Sequence, residues 1–152
     1  MRWWSFLFFV LLSMSALAQN SARGATNKAE MLKRAEDLRV LATRAQDALR
    51  TRLDLEACAH IEGLFRGLPQ HLTGIMAHMD NFDPRVAEMK NQSLDLLRET
   101  HKLHNTCLNG SLNPVSSREH LSLAQRLLGS HQALIRSRAT DFNNTYYYHY
   151  DF

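Results

Sequence analysis

The chain has 152 residues and a formal net charge of +3, with Lys and Arg interspersed among Asp and Glu. That length suits one domain. So small and mixed a charge provides no field for nucleic acid, and no basic stripe interrupts it.

The first residues, MRWWSFLFFVLLSMSALAQN, place one Arg before an apolar run from Trp3 to Leu12. Small residues follow at Ala16 and Ala18. This is the anatomy of a secretory signal peptide, cleaved after Ala18. The competing reading is a retained anchor, for which the apolar run is short. Residues 1–18 are therefore expected to be a leader, and residues 19–27 a flexible amino-terminal segment. No later apolar run is long enough to span a membrane, so no transmembrane span is expected after cleavage.

From Asn27 onward the pattern is helical. Asn27 with Glu30 reads as a cap. Met31, Ala35, Leu38, Ala42, Ala45 and Leu49 then recur at alternating four- and three-residue spacing, one face of a helix. The seam stumbles at Arg52 and resumes one step out of phase at Leu53, Ala57, Ile61, Leu64 and Leu68. Either one long bent helix or a turn near Leu53-Asp54 explains that slip, with Asp54 as a possible cap. Pro69 is expected to kink the second helix or start a new one. Asp83-Pro84 opens the next helix, whose heptad seam is Val86, Met89, Ser93, Leu96, Thr100, Leu103 and Cys107. A loop covers 108–117. Ser116 and Glu119 form a capping box before the last seam, Leu121, Ala124, Leu128, His131 and Ile135.

The only cysteines are Cys58 and Cys107. In an exported protein two such residues pair. They also choose between the architectures. With a hairpin tip at Asp83, the two lie 25 and 24 residues from it, level on antiparallel helices, as a disulfide requires. The expected fold is all-α, an up-and-down four-helix bundle over residues 28–142 with one disulfide. A three-helix arrangement with one long bent helix is the alternative. An extended aromatic tail, 143–152, completes the chain.

No phosphate-binding Gly-rich loop, G-x-S-x-G or H-E-x-x-H motif is present, so no catalytic residues are assigned and a non-enzymatic role is expected. No metal site or cofactor is assigned either. The competing reading is a haem- or copper-binding bundle, whose candidate ligands are His71, Met76, His78, His101, His104 and His131. Helical spacing turns His60 and His101 away from the cysteine contact and only His104 toward it. His131 in an apolar seam reads first as a hydrogen-bonded core residue. Asn91, Asn109 and Asn143 begin glycosylation sequons, which matter only in a eukaryotic source.

LSLAQ at 121–125 is similar to the Leu-Thr-x-x-Gln repeat of small periplasmic stress-adaptor proteins, with Ser122 in place of Thr. That family is helical and non-enzymatic. In the tail, Tyr146, Tyr148, Tyr150 and Phe152 fall on one side of an extended strand. This pattern resembles the carboxyl-terminal signal of outer-membrane barrel proteins, and the final Tyr-x-Phe resembles a peptide bound by the PDZ domain of a periplasmic protease. The rest of the chain has none of the alternating strands of a barrel. The four aromatics are the candidate partner-binding residues, and docking onto the chain's own bundle is the favoured reading. The functional expectation is an exported binding or adaptor module of the cell envelope, with an inhibitor, immunity or stress role. It is placed in the periplasm, with extracellular secretion as the alternative. Its expected partner is another envelope protein, and self-association is open.

Overall fold

The computed structural model describes the backbone of residues 4–78 and 84–137 and the side chains of 27–77 and 84–137. Within them lie four helices: α1 (Trp4–Arg50), α2 (Asp54–His78), α3 (Pro84–Leu108) and α4 (Pro114–Ser137). They form the expected up-and-down bundle. The single long helix of the three-helix alternative does not occur, because the chain turns between Arg50 and Asp54. The aromatic tail lies outside the described residues.

α1 is longer than expected. Its backbone is helical through residues 19–27, expected as a flexible segment, and Asn27 therefore sits mid-helix and caps nothing. Within the bundle its seam is buried from Met31 to Leu49, and four alanines on it, Ala35, Ala42, Ala45 and Ala48, are at or near zero exposure. Small side chains let α2 and α4 approach closely. A Cβ on Gly67 would stand 2.6 Å from Leu38 Cδ2, so any larger residue where α2 crosses Leu38 would require that buried side chain to shift.

Two helix ends show the same device with different residues. α3 closes with Ser111 N–H donating to the Thr106 carbonyl and Gly110 N–H to Cys107, with Gly110 at φ 64°. This is a Schellman motif with glycine in its usual left-handed place. α1 closes with Leu53 N–H donating to the Ala48 carbonyl at 2.9 Å, but the left-handed residue is Arg52, at φ 59°. The slip in the seam at Arg52 is this turn. Leu53 lies at the turn, half exposed, and is not a seam residue.

Two cap assignments shift. The Leu53 carbonyl receives the first bond of α2, from Ala57, so Asp54 is the first helical residue, and its carboxylate with Glu56 faces the positive end of the helix. α4 starts earlier than the Ser116 box implied. Asn113 Oδ1 accepts from the Val115 and Ser116 amides, and Pro114 takes the first helical position, where its missing N–H costs nothing. Pro69 lies inside α2, which continues through it. Cys58 and Cys107 are bonded, Cα atoms 5.6 Å apart, tying the start of α2 to the end of α3.

The core has two parts. The larger runs from the disulfide end to the middle and includes Leu38, Leu49, Ile61, Leu64, Leu68, Leu96, Leu103, Leu121 and Leu128. The smaller holds Met31, Ile75, Val86, Met89 and Ile135 near the opposite end. Packing is uneven round the bundle: α1 packs extensively on α2 and α4, α3 less on α2, and α3 least of all on α4.

Candidate functional site

Where α3 and α4 diverge, a cleft of about 230 Å³ opens along their flanks. Its floor is leucine from three helices: Leu64 of α2, Leu96 and Leu103 of α3, and Leu121 of α4 beside Ala124. Leu64 and Leu121 are fully buried. Thr100 also faces it, but its hydroxyl is occupied, donating to the Leu96 carbonyl at 2.8 Å. The floor is thus apolar, and the polar groups stand at the rim. Gln92, Asp95 and Glu99 line the α3 side, and His120, Leu123 and Leu127 the α4 side.

The rim is held by ion pairs. Asp95 pairs with Arg98 at 2.6 Å and Glu99 with Lys102 at 2.6 Å. Glu99 also reaches across the cleft to His120 Nε2, 3.4 Å away, while His120 Nδ1 stands 2.7 Å from the Ser116 carbonyl. The hydrogen bond from Lys102 is the main reason the Glu99 carboxyl titrates below its ordinary value; burial, the next-largest effect, opposes it, and the charges of Lys102, His120 and Arg98 add to the lowering. Asp95, Arg98 and Lys102 are largely exposed and Glu99 and His120 partly so, and pairs this open to solvent contribute little to stability. Their effect is to place charge at the cleft mouth.

Between the two core regions lies a polar layer. His131 of α4 has Nδ1 3.3 Å from His71 Nε2 of α2, and its Nε2 3.0 Å from Ser93 Oγ of α3. Ser93 donates its only proton to the Met89 carbonyl at 2.6 Å. The directions of the chain follow. Ser93 accepts from His131 Nε2–H, so His131 Nδ1 carries a lone pair and accepts from His71 Nε2–H. His71 Nδ1 is then a bare acceptor, buried and without a hydrogen-bond partner among the described residues. Both rings are neutral: burial lowers each to about 4, aided by the nearby Arg34 charge for His71 and by His71 itself for His131.

The other candidate ligands are dispersed. Met76 is 45% exposed, and the His78 side chain lies outside the described residues. His101 and His104 flank Phe65 of α2, His104 stacked at 4.7 Å and His101 tilted at 5.2 Å. These rings join α2 to α3. Among the described residues no three His, Cys, Asp or Glu side chains gather as a metal would need. Tyr146, Tyr148, Tyr150 and Phe152 lie outside the described residues.

The cleft was not anticipated from the sequence. Its signal was present, however, in a hydroxyl residue of the α3 seam, Thr100. Thr100 lines the cleft where a leucine would have filled more of the space toward α4, and it is buried with its hydroxyl turned back to its own helix, whereas Ser93 lies against His131 outside the cleft. Among the described residues no helix is long and apolar enough to cross a membrane. No family model, characterised protein or solved structure matches the chain.

Proposed function

We propose that this chain is a non-enzymatic adaptor of the cell envelope, exported to the periplasm by its first 18 residues, that holds apolar side chains of a partner protein in the α3/α4 cleft. The observation that supports this reading is the cleft itself, a leucine-floored opening with its polar groups confined to the rim. Interfaces of this kind are energetically dominated by a few apolar anchors seated in a pocket and ringed by polar residues. The disulfide fits an exported protein.

A matched pair of positions tests it. Leu123 on the cleft rim and Val40 on α1 are both 38% exposed. With benzoylphenylalanine placed at either, irradiation of envelope extract is expected to link a discrete partner to position 123 and none to position 40. Equal labelling from both positions, or none from 123, removes the cleft as the binding surface.

The copper or haem reading draws on one observation, the buried His71–His131 pair on different helices. Their facing nitrogens are already hydrogen-bonded, 3.3 Å apart, and a porphyrin would have to part rings whose centroids lie 5.5 Å from each other. Haem addition that produces a stoichiometric Soret band, lost in His131→Leu, is the result that would favour it.

A further inference from the structure

We propose that the cleft has an occupant within the chain: the aromatic segment Tyr146–Phe152, folded back along α4 with neighbouring members of the series Tyr146, Tyr148, Tyr150 and Phe152 facing the leucine floor. The inference rests on the cleft being a binding site and names what competes for it. In this arrangement the adaptor carries its own inhibitor, and a partner gains the cleft by displacing the tail.

Position argues for it first. The segment follows α4 in the sequence, and α4 is itself one wall of the cleft. The wall residues Leu127 and His120 lie 10 and 17 residues before Ser137. At the helical rise they stand roughly 15 and 26 Å back along α4. Residues 138–145 number eight, and an extended chain of that length reaches about 26 Å. Tyr146 can therefore arrive at any level of the cleft, with six further residues to run along it.

Shape argues next. A helix with its side chains is about 10–12 Å across. A cleft of about 230 Å³ takes anchoring side chains, not a whole helix. An extended strand delivers such anchors at every second residue, about 6.6 Å apart, close to the 5.4 Å between turns of the wall helix. The tail has this period, whereas the rest of the bundle sequence has a helical one. Chemistry agrees. Tyrosine combines an apolar ring with a hydroxyl donor. The floor is leucine, while the rim offers acceptors in Gln92, Asp95 and Glu99.

The test uses the full mature chain. With benzoylphenylalanine at Leu123, irradiation of dilute purified protein is expected to give an intramolecular link to a peptide within 143–152, read by mass spectrometry, and no such link from position 40. A synthetic decapeptide of residues 143–152 is expected to bind the full chain carrying Tyr146→Ser, Tyr148→Ser, Tyr150→Ser and Phe152→Ser at least tenfold more tightly than it binds the native chain, whose cleft is occupied. Adding Leu123→Lys at the exposed rim, where folding is not at stake, is expected to abolish that difference. Links confined to other surfaces, links formed only between isotopically distinct copies, or equal peptide affinity for native and tail-substituted chains would each overturn the inference. The two readings separate cleanly. Tail links at 123 with no partner in extract defeat the adaptor alone, and partner links with no tail links defeat the tail alone.

Discussion

Two imidazoles in an apolar core must settle which nitrogen holds each proton, and here one serine settles it. Because Ser93 spends its hydrogen on Met89, His131 has to donate to Ser93 and His71 has to donate to His131. A further proton on His131 would set two N–H groups against each other across 3.3 Å unless His71 changed tautomer. For His131 this is a structural reason, beyond burial, to resist protonation, whereas His71 is held neutral by burial and the Arg34 charge. The consequence for stability has a definite sign. The unfolded chain takes up protons on these rings near pH 6.5, whereas the folded chain resists to about 4. Between those values the unfolded state binds more protons, so stability falls as the pH drops from 6.5 to 4 and is fully retained above 6.5. Each ring contributes at most on the order of 3 kcal/mol, and the two are coupled, so the sum is smaller than twice that. The expected result is a clear drop in the urea midpoint between pH 7 and pH 5. A chain with His71→Leu and His131→Leu is expected to lose most of that drop. If it stays as pH-sensitive as the native chain, the effect belongs to the exposed histidines instead. Sequence reading recognised His131 as a core residue from its place in the seam. It missed the pairing with His71, because pairing depends on the relative rotation of two helices that are not adjacent in the sequence.

At the scale of the helices, most of what was legible came from period. The seams of α1 and α4 are buried as read, and the break at Arg52 marks the turn that separates α1 from α2. The turn was hard to place because its signal residue is the wrong type. A left-handed residue after a helix is usually glycine, as Gly110 is after α3, and an arginine there gives no warning. The cap of α4 was misplaced for a related reason. Ser116-Glu119 has the capping spelling, but Asn113-Pro114 is the stronger pair, since proline fixes the first helical residue and asparagine supplies the acceptor. Arg52 also yields a prediction. A non-glycine residue in the left-handed region costs about 1–2 kcal/mol, and glycine introduces a smaller entropic penalty of its own. Arg52→Gly is therefore expected to raise stability by about 0.5–1 kcal/mol, and Arg52→Val, branched at Cβ, to lower it. Thermal unfolding of the two variants beside the native chain decides the matter. A less stable glycine variant would mean that the arginine side chain stabilises the turn by more than its backbone conformation costs.

At the scale of the whole molecule, the cysteines were the most informative residues, because their near-equal distances from Asp83, 25 and 24 residues, favoured four helices over the three-helix alternative. What they could not convey was the uneven closure of the bundle. Spacing reports which face of a helix is apolar, not how far apart two such faces stand, and the alanine seam of α1 draws α2 and α4 inward while α3 is left at the margin. Polar contacts follow the same division. Gln132 donates to Glu36 at 2.8 Å and accepts from Arg39 at 3.2 Å, and Gln125 meets Gln46 at 3.2 Å, so α1 and α4 are fastened along their length. α3, by contrast, packs sparsely against α4 and is bonded covalently to α2 near its own carboxyl end. The disulfide closes a span of 49 residues, for which the chain-entropy model gives about 4 kcal/mol. Its loss should therefore act on two levels. Cys58→Ser with Cys107→Ser is expected to lower the unfolding free energy by about 2–4 kcal/mol. It is also expected to speed amide exchange in α3 before α1, because sparse packing leaves α3 the helix that opens most easily once the covalent tie is gone. Exchange measured helix by helix separates the two effects. If protection falls equally in all four helices, α3 is held by packing as firmly as the others, and the cleft beside it is a rigid feature of the bundle. If α3 alone loses protection, the disulfide is what keeps the cleft wall in place. In that case partner capture at position 123 should weaken with it.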